Sequence, residues 1–219
     1  WISVPSAVDL VFDQDYFKKN DVKSLENMFF CGEVLKKIHL QKIFRSNKNV
    51  KVMNSYGPTE ATVSCTSIVF NKNNYQKYCK PSASFGKPIK NMKIGFLSKK
   101  KVTQGEIYIS GPQVARGYKE EKFLNKRKFK NINNKKIFIT GDVCKIINGN
   151  YYFLNRVDRQ IKILGNRIEL NEIDKLVGDL TNFTSHSVIF KNKIITFCSG
   201  KFVEKNLKIK LSRYLPKYM

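Results

Sequence analysis

The sequence predicts an α/β (α+β) chain in two parts, and three observations carry that prediction. A strand, a helix and a strand follow one another within residues 28–53. Short strands punctuated by Gly fill residues 94–154. Past Asp158 the pattern becomes strand, helix, strand, strand, helix.

Met28-Phe29-Phe30-Cys31 is an apolar run of buried-strand length. Leu35, Ile38 and Ile43 follow at helical spacing through Phe44, and Val50-Lys51-Val52-Met53 is the next strand. Strand, helix and strand within about thirty residues form a βαβ unit with parallel strands. Ligands in such sheets gather beyond the carboxyl ends of the strands, so Gly32-Glu33 and residues 55–60 fall on one rim. A polar connector rich in Asn and Lys runs from Asn71 to Pro81. Residues 94–97, 106–110, 136–139 and 143–147 then read as strands of a small antiparallel sheet or barrel. Asn148-Gly149 marks a tight hairpin into Tyr151-Tyr152-Phe153-Leu154, because both residues tolerate the positive φ of a type I′ turn.

The last part opens with a strand over residues 160–164. Leu170, Ile173, Leu176, Val177 and Leu180 give the following helix a clean apolar stripe. Residues 185–190 and 193–198 pair across a short turn, and a final helix over 204–214 stops before Pro216. The predicted boundary lies near Val157-Asp158. It separates residues 1–157 (α/β over 1–79, β-rich over 80–157) from a small domain at 158–219.

Composition narrows the function classes. A chain of 219 residues that is 42% hydrophobic and 12% aromatic buries a real core and is not disordered. No run approaches the roughly 18 apolar residues of a membrane span. Trp1-Ile2-Ser3-Val4-Pro5 has no basic segment ahead of an apolar one, so no secretory signal is expected. The missing initiator Met predicts a start inside a longer chain. Five widely spaced cysteines without a Cys-x-x-Cys pair predict reduced thiols, a cytoplasmic location and no zinc site. The net charge of +24 invites a nucleic-acid partner, but it comes from 34 Lys against 7 Arg spread along the chain. Base readers and phosphate clamps favour the planar Arg fork. No nucleic-acid partner is therefore expected.

Three motifs carry chemistry. In Asn54-Ser55-Tyr56-Gly57-Pro58-Thr59-Glu60, the Tyr ring can stack on a planar base, and Gly57 allows close backbone approach. Thr59 can bond a phosphate oxygen and Glu60 can hold Mg²⁺. The plainer alternative is a Gly-Pro turn with a solvated Glu. In Thr140-Gly141-Asp142 the carboxylate suits a ribose diol, against an Asp that caps a turn. Arg156 can reach the same ribose or an α-phosphate, against a plain surface Arg. Residues 165–169 read as a turn and helix start, with Glu169 in the first turn. Cys31 is by default a buried core thiol. His39 and His186 lack acid or metal partners at diagnostic spacing.

In this order the motifs resemble the adenylation domains of the acyl- and aminoacyl-adenylate-forming (AMP-binding) superfamily. The resemblance rests on residues 54–60, Gly105-Glu106-Ile107-Tyr108-Ile109-Ser110-Gly111, Val114-Ala115-Arg116-Gly117-Tyr118, residues 140–142 and residues 156–172. It covers essentially the whole chain. Residues 1–6, 29–33 and 56–64 look like the D-alanine:D-alanyl carrier protein ligases and close amino-acid-activating relatives. Ala115-Arg116 fits the general amino-acid adenylation domains better.

The resemblance implies the C-terminal part of a large adenylation domain, a βαβ layer with a small barrel-like subdomain, and then a small α+β domain, both incomplete. It implies ATP and Mg²⁺ as cofactors, a small amino acid as substrate and a phosphopantetheinylated carrier protein as acceptor. Asn54, Tyr56 and Gly57 would flank adenine, Thr59 and Glu60 would meet phosphate and Mg²⁺, and Asp142 and Arg156 the ribose. Cys31 and Gly32 would shape the amino-acid pocket. Asp158 would be the hinge between half-reactions, and Gly165 would line the thiolation tunnel. The family's phosphate loop is expected upstream of Trp1 and its catalytic lysine beyond Met219, so the 219 residues alone are expected to be inactive. An acyl-CoA or fatty-acid ligase, and a non-catalytic module that docks an acidic carrier, remain alternatives.

Overall fold

A computed structural model describes residues 1–12, 22–80, 82–98, 100–132, 134–190, 193–201 and 204–219. The Pro81 end of the polar connector lies outside them. The chain divides into two compact units, Trp1–Val157 and Asp158–Met219.

The first unit opens with a five-stranded sheet whose spatial order follows the sequence. Strand β1 (Ile2–Ser3), helix α1 (Ala7–Phe12), β2 (Asn27–Phe30), α2 (Lys37–Ser46), β3 (Lys51–Asn54), β4 (Thr66–Phe70) and β5 (Lys87–Pro88) make it up. β1, β2 and β3 run parallel, as the βαβ reading requires, and β4 and β5 are antiparallel additions. In register, Met28 faces Val52 and Phe30 faces Asn54, so alternate residues of both strands enter one core. Phe30, Leu40, Ile43, Val52 and Phe70 are fully buried there. Each such side chain contributes roughly 1.5–3 kcal/mol relative to exposure.

Helix α2 departs from the expected stripe. Its buried face is His39, Leu40, Ile43 and Phe44, and Ile38 is 44% exposed. The helix starts only at Lys37, where the Lys36 N–H donates to His39 Nδ1 (3.3 Å), and this phase turns Ile38 outward. His39 also has the acid partner that sequence spacing did not reveal. Its Nε2 lies 3.3 Å from Asp9 Oδ2 on α1, and Lys42 Nζ is 2.7 Å from the other Asp9 oxygen.

The β-rich part is an antiparallel sheet. It contains β6 (Lys93–Phe96), β7 (Gln104–Ser110), β8 (Phe129–Ile132), β9 (Lys135–Ile147) and β10 (Asn150–Arg156), with helix α3 (Lys122–Lys128) before β8. The order is β10-β9-β7-β6, and β8 pairs with β9. The Asn148-Gly149 turn has φ of 49° and 76°, as a type I′ hairpin needs. The two strands expected at 136–139 and 143–147 are one continuous strand, β9. Thr140-Gly141-Asp142 is therefore a bulge within a strand and not a turn between two. Between the pairs Tyr108↔Ile139 and Glu106↔Val143, β9 advances four residues while β7 advances two. Gly141 absorbs the kink at φ +80°.

The second unit holds β11 (Gln160–Ile163), β12 (Asn166–Glu169), α4 (Leu170–Thr181), β13 (Ser185–Phe190), β14 (Lys193–Cys198) and α5 (Glu204–Leu211). Residues 166–169, expected to start a helix, form strand β12 against β11. Leu164 and Gly165 turn this hairpin at φ 49° and 81°. Glu169 ends β12 and is the N-cap of the helix that starts at Leu170, but its carboxylate accepts from Gln160 Nε2 and makes no capping hydrogen bond. Leu170, Ile173 and Val177 of α4 pack on Ile163 and Ile168. Asn182 ends the helix in the left-handed region, its N–H on the Gly178 carbonyl (2.7 Å). Among the described residues no helix is long and apolar enough to cross a membrane.

Candidate functional site

Strand β3 delivers the chain into a tight loop over residues 55–65. The Ser55 hydroxyl donates to the Thr66 carbonyl (2.6 Å), and the Tyr56 N–H donates to Thr66 Oγ1 (3.0 Å). Thr66 Oγ1 in turn donates to the Phe85 carbonyl (2.6 Å). The loop closes where the Cys65 N–H reaches the Tyr56 carbonyl (2.9 Å). A Cβ at Gly57 would lie 2.6 Å from the Val63 carbonyl oxygen, so Gly57 is required by the chain's own return. Thr62 and Val63 hold φ of 55° and 64°, a region that costs a β-branched residue about 1–2 kcal/mol.

Loop and sheet meet at Tyr56. Its ring leans on Phe85, centroids 4.5 Å apart, and its hydroxyl donates to Asp142 Oδ2. Arg156 Nη1 donates to Asp142 Oδ1, and Arg156 Nη2 to the Thr140 carbonyl (3.1 Å). Register explains the pair, since Arg156 of β10 lies directly opposite Asp142 of β9. The Asp142 N–H is taken by Thr140 Oγ1 (2.9 Å), and Thr140 Oγ1 donates to the Ile107 carbonyl (2.9 Å). Asp142 thus serves side chains and caps no turn, and Arg156 is not a surface residue. Burial pushes the Tyr56 phenol well above its usual range, and the neighbouring Asp142 carboxylate adds to the shift. The hydroxyl therefore stays a donor.

Thr59, Glu60 and Ala61 make one 3-10 turn after Pro58. Thr59 is exposed, but Glu60 is only 6% exposed, which excludes the solvated-Glu alternative. Glu60 Oε1 accepts the Tyr118 hydroxyl at 2.5 Å, and its carbonyl accepts the Ala115 N–H (2.8 Å). Asn54, at the end of β3, donates from Nδ2 to the Ser84 carbonyl (2.8 Å), and its buried Oδ1 has no partner among the described residues. Cys31 directly follows β2 and donates from Sγ to the Val63 carbonyl (3.2 Å), and Gly32 turns the chain at φ +96°. The first unit thus brings Tyr56, Asp142 and Arg156 into direct contact and joins Cys31 to the loop that carries Thr59 and Glu60. Asp158 and Gly165 belong to the second unit. There the Asp158 carboxylate accepts the Gln160 N–H (3.3 Å), and Gly165 sits in the β11–β12 turn.

Phe85, Tyr118 and Asn125 escaped the sequence reading as site residues. Phe85 lies in no periodic pattern. Tyr118 closes the quoted Val114–Tyr118 motif, and that position was its only signal. Among the described residues no group of three or more His, Cys, Asp or Glu side chains gathers to hold a metal. Mg²⁺ commonly binds through one or two carboxylates, with substrate phosphates and water completing the shell. One buried carboxylate, Glu60, fits a Mg²⁺ carried in by a nucleotide and not one caged by protein alone.

The chain is similar to known proteins over most or all of its length. The chain is 35% identical over 192 residues to the D-alanine–D-alanyl carrier protein ligase of Bacillus licheniformis, covering 86% of this chain and 38% of that protein. It is 28% identical to the ligase of the same description from Staphylococcus aureus, covering all of this chain and 46% of the relative. The chain therefore spans less than half the length of these relatives. Its fold matches the Vibrio cholerae adenylation domain AlmE, solved with glycyl-adenosine-5'-phosphate, at a TM-score of 0.87 and 24% identity over 100% of this chain and 44% of that one. An NRPS protein containing adenylation and PCP domains matches at 0.84 and 20%, over 99% and 39%. Residues 1–119 match the AMP-binding enzyme family, and the chain belongs to it.

Proposed function

We propose that the chain is the adenosine-gripping part of an ATP-dependent ligase that activates a small amino acid and passes it to a carrier-protein thiol. In the first half-reaction the amino-acid carboxylate attacks the α-phosphorus of ATP, forming an acyl-phosphate bond and releasing pyrophosphate. In the second, a phosphopantetheine sulfur attacks the acyl carbon, a thioester forms, and AMP leaves. The observation that carries the reading is that Asp142 bonds both Tyr56 and Arg156, residues drawn from the loop between β3 and β4 and from a strand of another sheet.

Each residue has a role that its surroundings support. The Tyr56 ring and the Asn54–Gly57 backbone flank the base, and Asp142 accepts from the ribose hydroxyls. Arg156 orients the Asp142 carboxylate, its planar guanidinium bonding Asp142 Oδ1 and the Thr140 carbonyl together. Thr59, exposed beside Glu60, bonds phosphate. Glu60 is the ligand for Mg²⁺, which supplies charge neutralisation at the phosphates when bound. Cys31 and Gly32 border the amino-acid pocket, Asp158 is the hinge, and Gly165 borders the thiol path. None of the five cysteines is in a disulfide, which supports a reducing cytoplasmic location.

Amino-acid-dependent exchange of labelled pyrophosphate into ATP, by the protein as its own gene encodes it, tests the reading. Exchange with D-alanine or glycine, lost in Asp142→Ala, is the expected result. Exchange driven only by fatty acids assigns the site to acyl-CoA chemistry instead.

A further inference from the structure

We infer that Tyr118 and Asn125 are positioning residues for Glu60, holding its carboxylate in one orientation toward a nucleotide-bound divalent cation. The inference rests on the metal role given to Glu60 above. The Tyr118 hydroxyl reaches Glu60 Oε1 at 2.5 Å, with the carboxylate buried. Tyr118 is itself held by its main chain and by its ring. Its N–H donates to Asn125 Oδ1 (2.7 Å), its carbonyl accepts from Asn125 Nδ2 (2.7 Å), and its ring meets the edge of Phe129 at 5.4 Å.

One amide side chain thus satisfies both main-chain polar groups of the residue that aims Glu60. The arrangement has a steric requirement as well. A Cβ at Gly117 would lie 2.7 Å from Asn125 Oδ1, so the Asn fits because residue 117 is Gly. Asn125 belongs to α3, an element separate from the 55–65 loop. A buried carboxylate needs donors wherever it sits. Two linked residues fixing the donor do more than satisfy it, because they set the direction of the remaining coordination. Partners of this kind typically change metal affinity 10–100-fold.

Mn²⁺ binding to the ATP complex of the protein as its own gene encodes it, followed by electron paramagnetic resonance, tests the inference. Tyr118→Phe and Asn125→Ala should each weaken Mn²⁺ about tenfold while ATP affinity without metal matches the wild type and the melting transition, though lowered, stays cooperative and above the assay temperature. In a Glu60→Gln background, Tyr118→Phe should add nothing. Wild-type Mn²⁺ affinity in Tyr118→Phe, with affinity lost in Glu60→Gln, overturns the positioning role alone. A further loss from Tyr118→Phe in the Glu60→Gln background also overturns it. Wild-type affinity in Glu60→Gln overturns the metal role of Glu60 itself. If Tyr118→Phe does not fold, Asn125→Ser on the half-buried face of α3 carries the same comparison.

Discussion

The Tyr56 hydroxyl donates to Asp142 Oδ2 across 86 residues of sequence, and it ties the loop after the parallel strands to the bulge of the antiparallel sheet. Tyr56→Phe should therefore destabilise the first unit by about 1–3 kcal/mol, since it leaves a buried acceptor short of a donor. The midpoint of urea unfolding reads the change. An unchanged midpoint would show that water replaces the phenol at no cost.

The same phenol has a pH signature. Its folded pKa is raised by burial and then by Asp142, so the stabilisation is complete below the ordinary tyrosine pKa of about 10. It is lost as pH rises through the folded value. Spectrophotometric titration should show one tyrosine fewer ionising in Tyr56→Phe only at the most alkaline, unfolding-coupled step.

Arg156 and Asp142 form a buried pair, with side chains 14% and 9% exposed. Removing one partner of such a pair strands the other charge and costs about 3–5 kcal/mol. Arg156→Ala should show that loss in denaturant unfolding. Arg156→Lys should recover only part of it, because an ammonium does not reproduce the fork that spans Asp142 Oδ1 and the Thr140 carbonyl.

His39 predicts acid sensitivity of the α1–α2 clamp. Burial lowers its pKa below the usual value, against the pull of Asp9 and with help from Lys36 and Lys42. A lowered folded pKa means that stability is present above about pH 6.5 and declines as pH falls, because the unfolded chain takes the proton first. Asp9, whose pKa is also lowered, adds a loss at lower pH still. His39→Gln should flatten the stability profile between pH 7 and pH 5, with the Asp9 limb remaining.

Val63 carries a β-branched side chain at φ +64° and is 58% exposed. Val63→Asn should relieve roughly 1 kcal/mol of backbone strain without touching the core. A rise in melting temperature of about 2–4 °C is the expected size for a domain of this length. A fall would mean that the loop draws more from the Val63 side chain than its exposure suggests.

What was legible in the sequence follows from local physics. Met28-Phe29-Phe30-Cys31 is one unbroken apolar run, Leu170, Ile173 and Val177 repeat at helical spacing, and Asn148-Gly149 admits positive φ. Each signal is complete within a few residues. The misreadings share the opposite property. Residues 166–169 became a strand because Gln160 to Ile163 pair with them, and β9 ran unbroken because β7 and β10 support it on both sides. The exposure of Ile38 depends on where His39 starts the helix. For the candidate site, the residue types were readable as chemistry, whereas the Tyr56–Asp142 and Tyr118–Glu60 bonds join elements that no sequence window contains.

The bulge at Gly141 has a consequence of parity. β9 carries two residues more than β7 between the flanking pairs, and an even insertion leaves alternation intact. Phe138 before it and Cys144 after it are therefore both fully buried. An odd insertion would turn one half of the strand inside out. Deleting a single residue from 140–142 should thus scramble the pairing beyond the bulge, whereas deleting two should keep the alternation against β7 at the cost of the Thr140–Ile107 and Asp142–Arg156 bonds. The carboxylate sits where β9 outruns β7 by two residues, so a change of side chain there leaves the alternation of the strand as it was.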